Sequence, residues 1–480
     1  MNAPTAGTGI EHPLLIGGAW HRGRGREIVV LDKFALTPRA VATGASPDQI
    51  AAILDSAHAA FRAGAPVAWE RGAILDRAAV LLAERVEDFV ACMQGEAGFT
   101  AADARGEHTR TLQTLRLSAE EARRLTGEML PIEGAPGQSG RIGFTLRVPL
   151  GVVAAITPFN APLNTVAHKV APAIAAGNAV VVKPSSLTPG TACLLAQVFM
   201  DAGLPPGFLS ILHAGGAETA PLLADERVRF FAFTGSTGVG RTIQAAAGLR
   251  RTQMELGSIA FTILAADADL DRALPRVVNA SYRKAGQVCT SIQILLVHRS
   301  RHAEVAERLA AMVGALGHGD PRGEGVFVGP VISEPEARRI EGWIDEAMAQ
   351  GARRLAGGPR QGPVVPPTLL DGVTPEMRLG CAEVFGPVLC IEPFDSIAGA
   401  IERVNATPFG LATGIFTNRL DDAFAVARQL VVGGVHINET SSARVDMMPY
   451  GGSKDSGFGR EGPHYAVHEM TEERVVTIAV

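Results

Sequence analysis

The segment Ala285-Gly286-Gln287-Val288-Cys289-Thr290 sets a thiol directly after small and polar turn-forming residues, outside any apolar run. Catalysis by cysteine needs a thiolate, and an exposed turn beside Arg283 and Lys284 favours one more than an apolar strand does. The competing reading is a buried small hydrophobe, the usual state of a free cysteine. Cys92, Cys193 and Cys390 lie in apolar stretches and read that way, while Cys381, in a loop, is the rival nucleophile. Upstream of Cys289 stands Glu255-Leu256-Gly257, and further upstream Thr157-Pro158-Phe159-Asn160 ends an apolar strand with an amide. Thiol, carboxylate and amide form one catalytic set.

A second group of residues suits a nucleotide. Arg229-Phe230-Phe231-Ala232-Phe233 runs as a strand into Thr234-Gly235-Ser236-Thr237-Gly238-Val239-Gly240, a glycine-rich turn that opens a helix. Main-chain N–H groups at such a helix start hold phosphate oxygens where glycine lets the backbone approach, and Ser236 adds a hydroxyl. The match to the dinucleotide fingerprint is partial, with Thr237 where glycine is expected. That fingerprint also expects an acid about 20 positions on to bind ribose, which is Glu255. Glu255 therefore has two readings, ribose ligand or general base. Lys183, at the end of Val180-Val181-Val182, stands where open α/β sheets bind ligands, with Pro184 fixing the turn; a solvent-facing loop lysine is the alternative.

These residues need a large scaffold. At 480 residues the chain exceeds a single simple core, and 47% hydrophobic residues with 54 Gly and 30 Pro describe a folded α/β enzyme with many tight connections. The net charge of -5 and the lack of a basic stripe give no reason to invoke nucleic acid or a membrane surface. Met1-Asn2-Ala3-Pro4-Thr5-Ala6-Gly7 lacks the basic and apolar parts of a signal peptide, and no apolar run reaches the ~18 residues of a membrane span, so a cytoplasmic protein is expected. Five widely spaced cysteines without a CxxC pair argue against a disulfide framework and against a metal site.

Apolar positions recur at helical spacing between Asp48 and Leu125. Gly127 to Ile132 and Arg141 to Val148 read as two strands joined by a flexible turn. From Gly151 to Glu255, strands at Val152–Ile156, Val180–Val182 and Val228–Phe233 alternate with helices near Thr165–Ala176 and Thr188–Ala202, which predicts a parallel sheet with right-handed crossovers. A second such set runs from Ile263 to Ile437 and carries Cys289.

Taken in order, Thr157-Pro158-Phe159-Asn160, Lys183-Pro184-Ser185, Phe233-Thr234-Gly235-Ser236, Glu255-Leu256-Gly257, Gly286-Gln287-Val288-Cys289, Glu383-Val384-Phe385-Gly386-Pro387 and Pro449-Tyr450-Gly451-Gly452-Ser453-Lys454 resemble the aldehyde dehydrogenase superfamily along nearly the whole chain. The resemblance implies an α/β fold of that type: a discontinuous Rossmann-type NAD(P)-binding domain (1–125 and 150–255), a catalytic domain (256–445), and an oligomerisation hairpin and tail (126–149 and 465–480). It implies that Cys289 attacks the aldehyde carbon, that Asn160 and the Cys289 N–H hold the oxyanion, and that Glu255 is the base that activates water on the thioester. It further implies that NAD or NADP is held by Thr157, Pro158, Phe159, Lys183, Ser185, Ser186, Gly235, Ser236, Gly257, Glu383 and Phe385. Ser186 stands where the family often has a glutamate that selects NAD, which leaves NADP open; Ser258 and Phe159 replace a common glycine and tryptophan.

Asn164 and His168 follow Asn160 at helical spacing, and Arg283 precedes Cys289 by six positions. With Thr290 they give the expected substrate contacts, a polar and cationic pocket. Asn164, His168-Lys169 and Arg444-Val445-Asp446-Met447-Met448-Pro449-Tyr450 most resemble the lactaldehyde and phosphonoacetaldehyde dehydrogenase branch. The expectation is oxidation of a short polar or anionic aldehyde, with Arg283 as anchor or, alternatively, pointing to solvent or paired with an acid. Other readings are a CoA-acylating relative, which generally lacks a carboxylate like Glu255, and a non-catalytic cofactor-binding relative. The hairpin and the strand-like tail from Arg474 expose edges that need partners, so the resemblance implies a homodimer or homotetramer.

Overall fold

Two runs, Val152-Val153-Ala154-Ala155-Ile156 and Ala179-Val180-Val181-Val182, are buried at every position, the signature of parallel strands covered on both faces. They form the centre of an eight-stranded sheet in a computed structural model that describes residues 9–479. The stretch Met1–Gly7 and the terminal Val480, both touched on above, lie outside the described residues. The sheet runs Gly457–Phe458, Arg251–Glu255, Val228–Thr234, Val152–Ile156, Ala179–Lys183, Leu209–Ile211, Leu14–Ile16 and Ala19–His21. Its inner five strands are parallel, and short antiparallel strands close both edges. The N-terminal edge pair was not legible in the sequence, because three-residue strands are too short to show an alternation.

The helical segment resolves into Pro47–Ala63, Ala68–Glu84, Val86–Ala97 and Ala101–Arg124. Thr100 caps the last of these by accepting from the Asp103 N–H, and Gly98, at φ 70°, ends the one before it. The crossover helices are Asn164–Ala176 and Gly190–Asp201. Helix Ala101–Arg124 packs on Asn164–Ala176, and the pair forms one wall of the site described below.

A seven-stranded sheet runs Arg353–Ala356, Thr368–Asp371, Val388–Phe394, Ile292–His298, Ala260–Leu264, Ala412–Phe416 and Gly434–Ile437, parallel except for its first strand. Each large sheet has its own apolar core. A three-stranded antiparallel sheet joins Met129–Leu130, Arg141–Pro149 and the tail strand Thr471–Ala479. Another small sheet orders Ile10–His12, Pro38–Thr43 and Glu27–Leu31. No helix among the described residues is long and apolar enough to cross a membrane.

Candidate active site

The C-terminal ends of Val152–Ile156, Val228–Thr234 and Arg251–Glu255 open onto a cavity of about 480 Å³, where an open α/β sheet is expected to bind ligands. Its far wall is the segment that links helix Leu270–Tyr282 to strand Ile292–His298 and carries Cys289. That segment turns through three consecutive left-handed residues, Lys284, Ala285 and Gly286. Gly286 is required twice over: its φ is 69°, and a Cβ there would stand 2.1 Å from the Gly386 carbonyl oxygen.

Lys284 holds this turn against the amide-bearing loop. Its ammonium donates to Glu107 and, at 3.1 Å, to the Asn160 carbonyl, and it lies 4.3 Å from the centre of the Phe99 ring. Glu107 also accepts from the Leu163 and Asn164 N–H groups at 2.9 and 3.1 Å, fixing the start of helix Asn164–Ala176. One buried ion pair thus ties the nucleophile segment to the Asn160 segment.

Cys289, Glu255 and Asn160 all line the cavity. Between thiol and carboxylate stands Tyr450, whose Oη is 2.8 Å from Cys289 Sγ and donates to Glu255 Oε1 at 3.4 Å. Burial pushes the Glu255 carboxyl up to about 7, and the nearby Glu461 adds to the shift. Glu461 itself is held below the ordinary range: burial would raise it, but Lys169 at 3.0 Å and Arg444 at 2.9 Å outweigh that. The expectation of an exposed thiol activated by its basic neighbours is corrected here. Burial and the Glu255 charge push the Cys289 thiol well above its ordinary value, while Lys284 is engaged with Glu107 and Arg283 with Ser442. In the resting site the sulfur keeps its proton.

Phe159 and Phe385 meet edge to face with ring centres 5.8 Å apart, beside Pro158, Gly235, Ser236, Gly257 and Glu383, all on the cavity wall. Burial raises the Glu383 carboxyl to about 7 even though it accepts the Ser258 N–H at 2.9 Å. A Cβ at Gly257 would come within 2.8 Å of Glu383 Oε2, so the glycine gives that carboxylate its room. Lys183, Ser185, Ser186 and Thr157 do not line the cavity. They stand at the ends of the adjacent strands, where the Thr157 N–H donates to the Lys183 carbonyl at 3.2 Å and the Ser186 hydroxyl to the Ala214 carbonyl at 3.3 Å. The buried Thr157 hydroxyl has no partner among the described residues.

Arg283 and Thr290 line the cavity, as expected of substrate contacts, but Asn164 and His168 do not. Both are buried behind the wall, where His168 meets Asp446 at 2.9 Å, Asn164 donates to Asp446 at 3.3 Å, and Arg110 pairs with the same carboxylate at 2.6 Å. The structural reason is phase. Asn160 precedes the helix, so spacing counted from it does not carry onto the face that begins at Asn164; Thr165, one residue round, faces the cavity.

Sequence reasoning passed over Arg110, Ser442, Arg444, Tyr450 and Glu461 as site residues, all of which line the cavity. Arg444 and Tyr450 lay within quoted motifs; nothing marked Arg110 on its long helix. With Arg283, and with Arg339, which is paired with Glu336, four arginines line one pocket. Arg110 is paired with Asp446 and Arg444 with Glu461. Arg283 donates to the Ser442 hydroxyl at 2.8 Å and has no carboxylate within 4.0 Å among the described residues.

Comparison with known proteins places this arrangement. Residues 20–476 match the model of the aldehyde dehydrogenase family. The chain is 42% identical to a 3-sulfolactaldehyde dehydrogenase of Priestia aryabhattai, over 98% of both chains. Among solved structures it superposes with a TM-score of 0.95 and 37% identity on aldehyde dehydrogenase 21 from Physcomitrella patens in complex with the reaction product succinate, covering 98% of each chain. It superposes with a TM-score of 0.94 and 33% identity on NADP-dependent glyceraldehyde-3-phosphate dehydrogenase from Bacillus halodurans C-125 complexed with NADP, over 98% of this chain and 99% of that one.

Proposed function

Since the chain belongs to the aldehyde dehydrogenase family, we propose that it oxidises a short aldehyde bearing a terminal anion to the corresponding acid, through a covalent bond to Cys289. The observation that carries the substrate class is Arg283, a partly buried cation that faces the cavity, with the charge of Asp103 acting on it but no carboxylate in ion-pair range among the described residues. A buried cation is costly until an anion joins it. The relatives named above act on or hold molecules with sulfonate, carboxylate or phosphate groups, and the Arg110, Arg283 and Arg444 guanidiniums with the Thr290 and Ser442 hydroxyls suit a group with several acceptor oxygens. Among these, a sulfonate is our first choice.

In this reading the Cys289 thiolate adds to the carbonyl carbon while the Asn160 amide and the Cys289 N–H receive the oxyanion, a kind of preorganised stabilisation worth several kcal/mol. NAD or NADP, when bound, would supply the hydride acceptor for that carbon. Glu383 would hold the nicotinamide ribose, Phe385 and Phe159 would pack near the ring, Gly235 and Ser236 would take the pyrophosphate, and Lys183 with Ser185 and Ser186 the adenosine ribose. A cavity-facing Glu383 carboxylate with a single main-chain donor, and an orphaned Thr157 hydroxyl beside the Lys183 strand, fit such a guest. Ser186 brings no charge against a 2′-phosphate, so both cofactors should serve. Glu255 then takes a proton from the water that cleaves the thioester, which favours hydrolysis over transfer to CoA.

We also read the enzyme as a cytoplasmic homodimer or homotetramer. Its five cysteines are free thiols, and the three-stranded sheet leaves Met129, Ile142, Leu146, Val475 and Ile478 exposed, an apolar face suited to a second copy. The mass in solution tests that part. The activity is tested by initial rates with sulfonate, carboxylate, phosphate and neutral aldehydes of similar length, each with NAD and with NADP. Highest kcat/KM on a neutral aldehyde would refute the substrate class.

A further inference from the structure

A protonated thiol is a weak nucleophile, so the proton on Cys289 must leave before or during attack. The groups that face the sulfur are Glu255, Tyr450, Arg444 and, further off, Arg283; Glu255 in turn faces Tyr450, Glu461, Arg444 and Lys169. The thiol and the Glu255 carboxyl also meet directly, and of the other groups one touches both ends of the required transfer. The Tyr450 hydroxyl is 2.8 Å from Sγ and 3.4 Å from Glu255 Oε1.

Tyr450 is held rigidly for this position. It exchanges main-chain hydrogen bonds with Glu461, N–H to carbonyl in both directions at 3.1 and 2.6 Å. The Arg444 guanidinium lies 3.7 Å from the centre of its ring, where a cation steadies any negative charge that builds on the phenol oxygen. The residue is buried except where it faces the cavity.

We propose that Tyr450 is a catalytic residue, the proton conduit from the Cys289 thiol to the Glu255 carboxylate. The Cys289 S–H bond breaks and its proton bonds to the Tyr450 oxygen, as the original Tyr450 O–H bond breaks and that proton bonds to Glu255. The tyrosine ends neutral, the thiol has become thiolate and the carboxylate has become carboxylic acid; no electrons change hands. Glu255 regains its base form by giving the proton to solvent water that enters the cavity. The proposal rests on the reading of Cys289 as nucleophile and Glu255 as base, and it adds the group that couples them.

The test is the rate of Cys289 alkylation by iodoacetamide against pH, in the purified enzyme and in Tyr450→Phe, which keeps the ring and its Arg444 contact. In the parent the rate should rise with Glu255 ionisation near pH 7. In Tyr450→Phe that rise should vanish and the neutral-pH rate should fall by about 100-fold, the low end of what a positioned acid or base supplies. Glu255→Gln should show the same loss and the double variant no more. Alkylation of Tyr450→Phe should recover at high pH, where solvent base ionises the thiol, which a misplaced cysteine would not do. An unchanged profile in Tyr450→Phe, or no recovery at high pH, overturns the proposal. The underlying reading fails separately: Cys289→Ala would then retain aldehyde oxidation.

Discussion

Replacing Arg283 with methionine keeps most of the apolar stem and removes the cavity guanidinium that, among the described residues, has no carboxylate partner. Its present bond, to the Ser442 hydroxyl at 2.8 Å, belongs to a small chain in which Ser442 also meets Thr290 at 3.0 Å. The fold loses one charge-to-hydroxyl bond and sheds a partly buried cation, so stability should hold or rise slightly. The anionic substrate loses a charge-assisted contact worth about 1.5–3 kcal/mol, which at ~1.4 kcal/mol per decade is roughly a 10- to 150-fold drop in kcat/KM. Because Arg283 would grip the remote end of the substrate in both ground and transition states, most of the loss should fall on KM. A neutral aldehyde of equal length should change by no more than about threefold, since it offers the guanidinium no charge to hold. Initial rates of NAD(P)H formation on a sulfonated and a neutral aldehyde measure both numbers. Equal losses on the two substrates would show that Arg283 supports the nucleophile segment and does not read charge.

Two further outcomes follow from the geometry. Glu461→Gln removes the carboxylate that raises Glu255 and frees Lys169 and Arg444 to stabilise its anion. Glu255 works as a base when ionised, so the acidic limb of the rate profile, near pH 7 in the parent, should move to lower pH; an upward or absent shift would refute the assigned coupling. Gly286→Ala forces a Cβ to within 2.1 Å of the Gly386 oxygen at a positive φ, and should cost on the order of 2–4 kcal/mol, read as a lowered denaturation midpoint with lost turnover. A variant as stable and active as the parent would mean that the 385–387 segment moves freely.

How far the sequence reveals this site depends on how local the signal is. The strands Val152–Ile156 and Ala179–Lys183 announce themselves because burial on both faces demands unbroken apolar runs. Cys289, Glu255 and Asn160 each sit at the end of such a strand or after a small-residue turn, so their context marks them one by one. The cavity wall is different. Arg110 looks like any arginine on a 24-residue helix, and only packing turns it inward. The error at Asn164 and His168 has the same origin: helical periodicity relates residues within a helix, and it was extended across a turn where no helix exists. The state of the thiol was misjudged because local sequence shows Lys284 beside it, but not Glu107, which takes up that charge from far along the chain.

Arg110, Arg283 and Arg444, which we propose read the anion, come from three separate places: a long helix, the turn before the cysteine, and the loop that leads to Tyr450. None of them is on the strand that ends in Glu255. Natural variation can therefore swap one recognition residue at a time and shift the enzyme from one acid-bearing aldehyde to another. The reactive centre would keep its shape throughout, so a lineage built on this scaffold could diversify its diet by single codon changes.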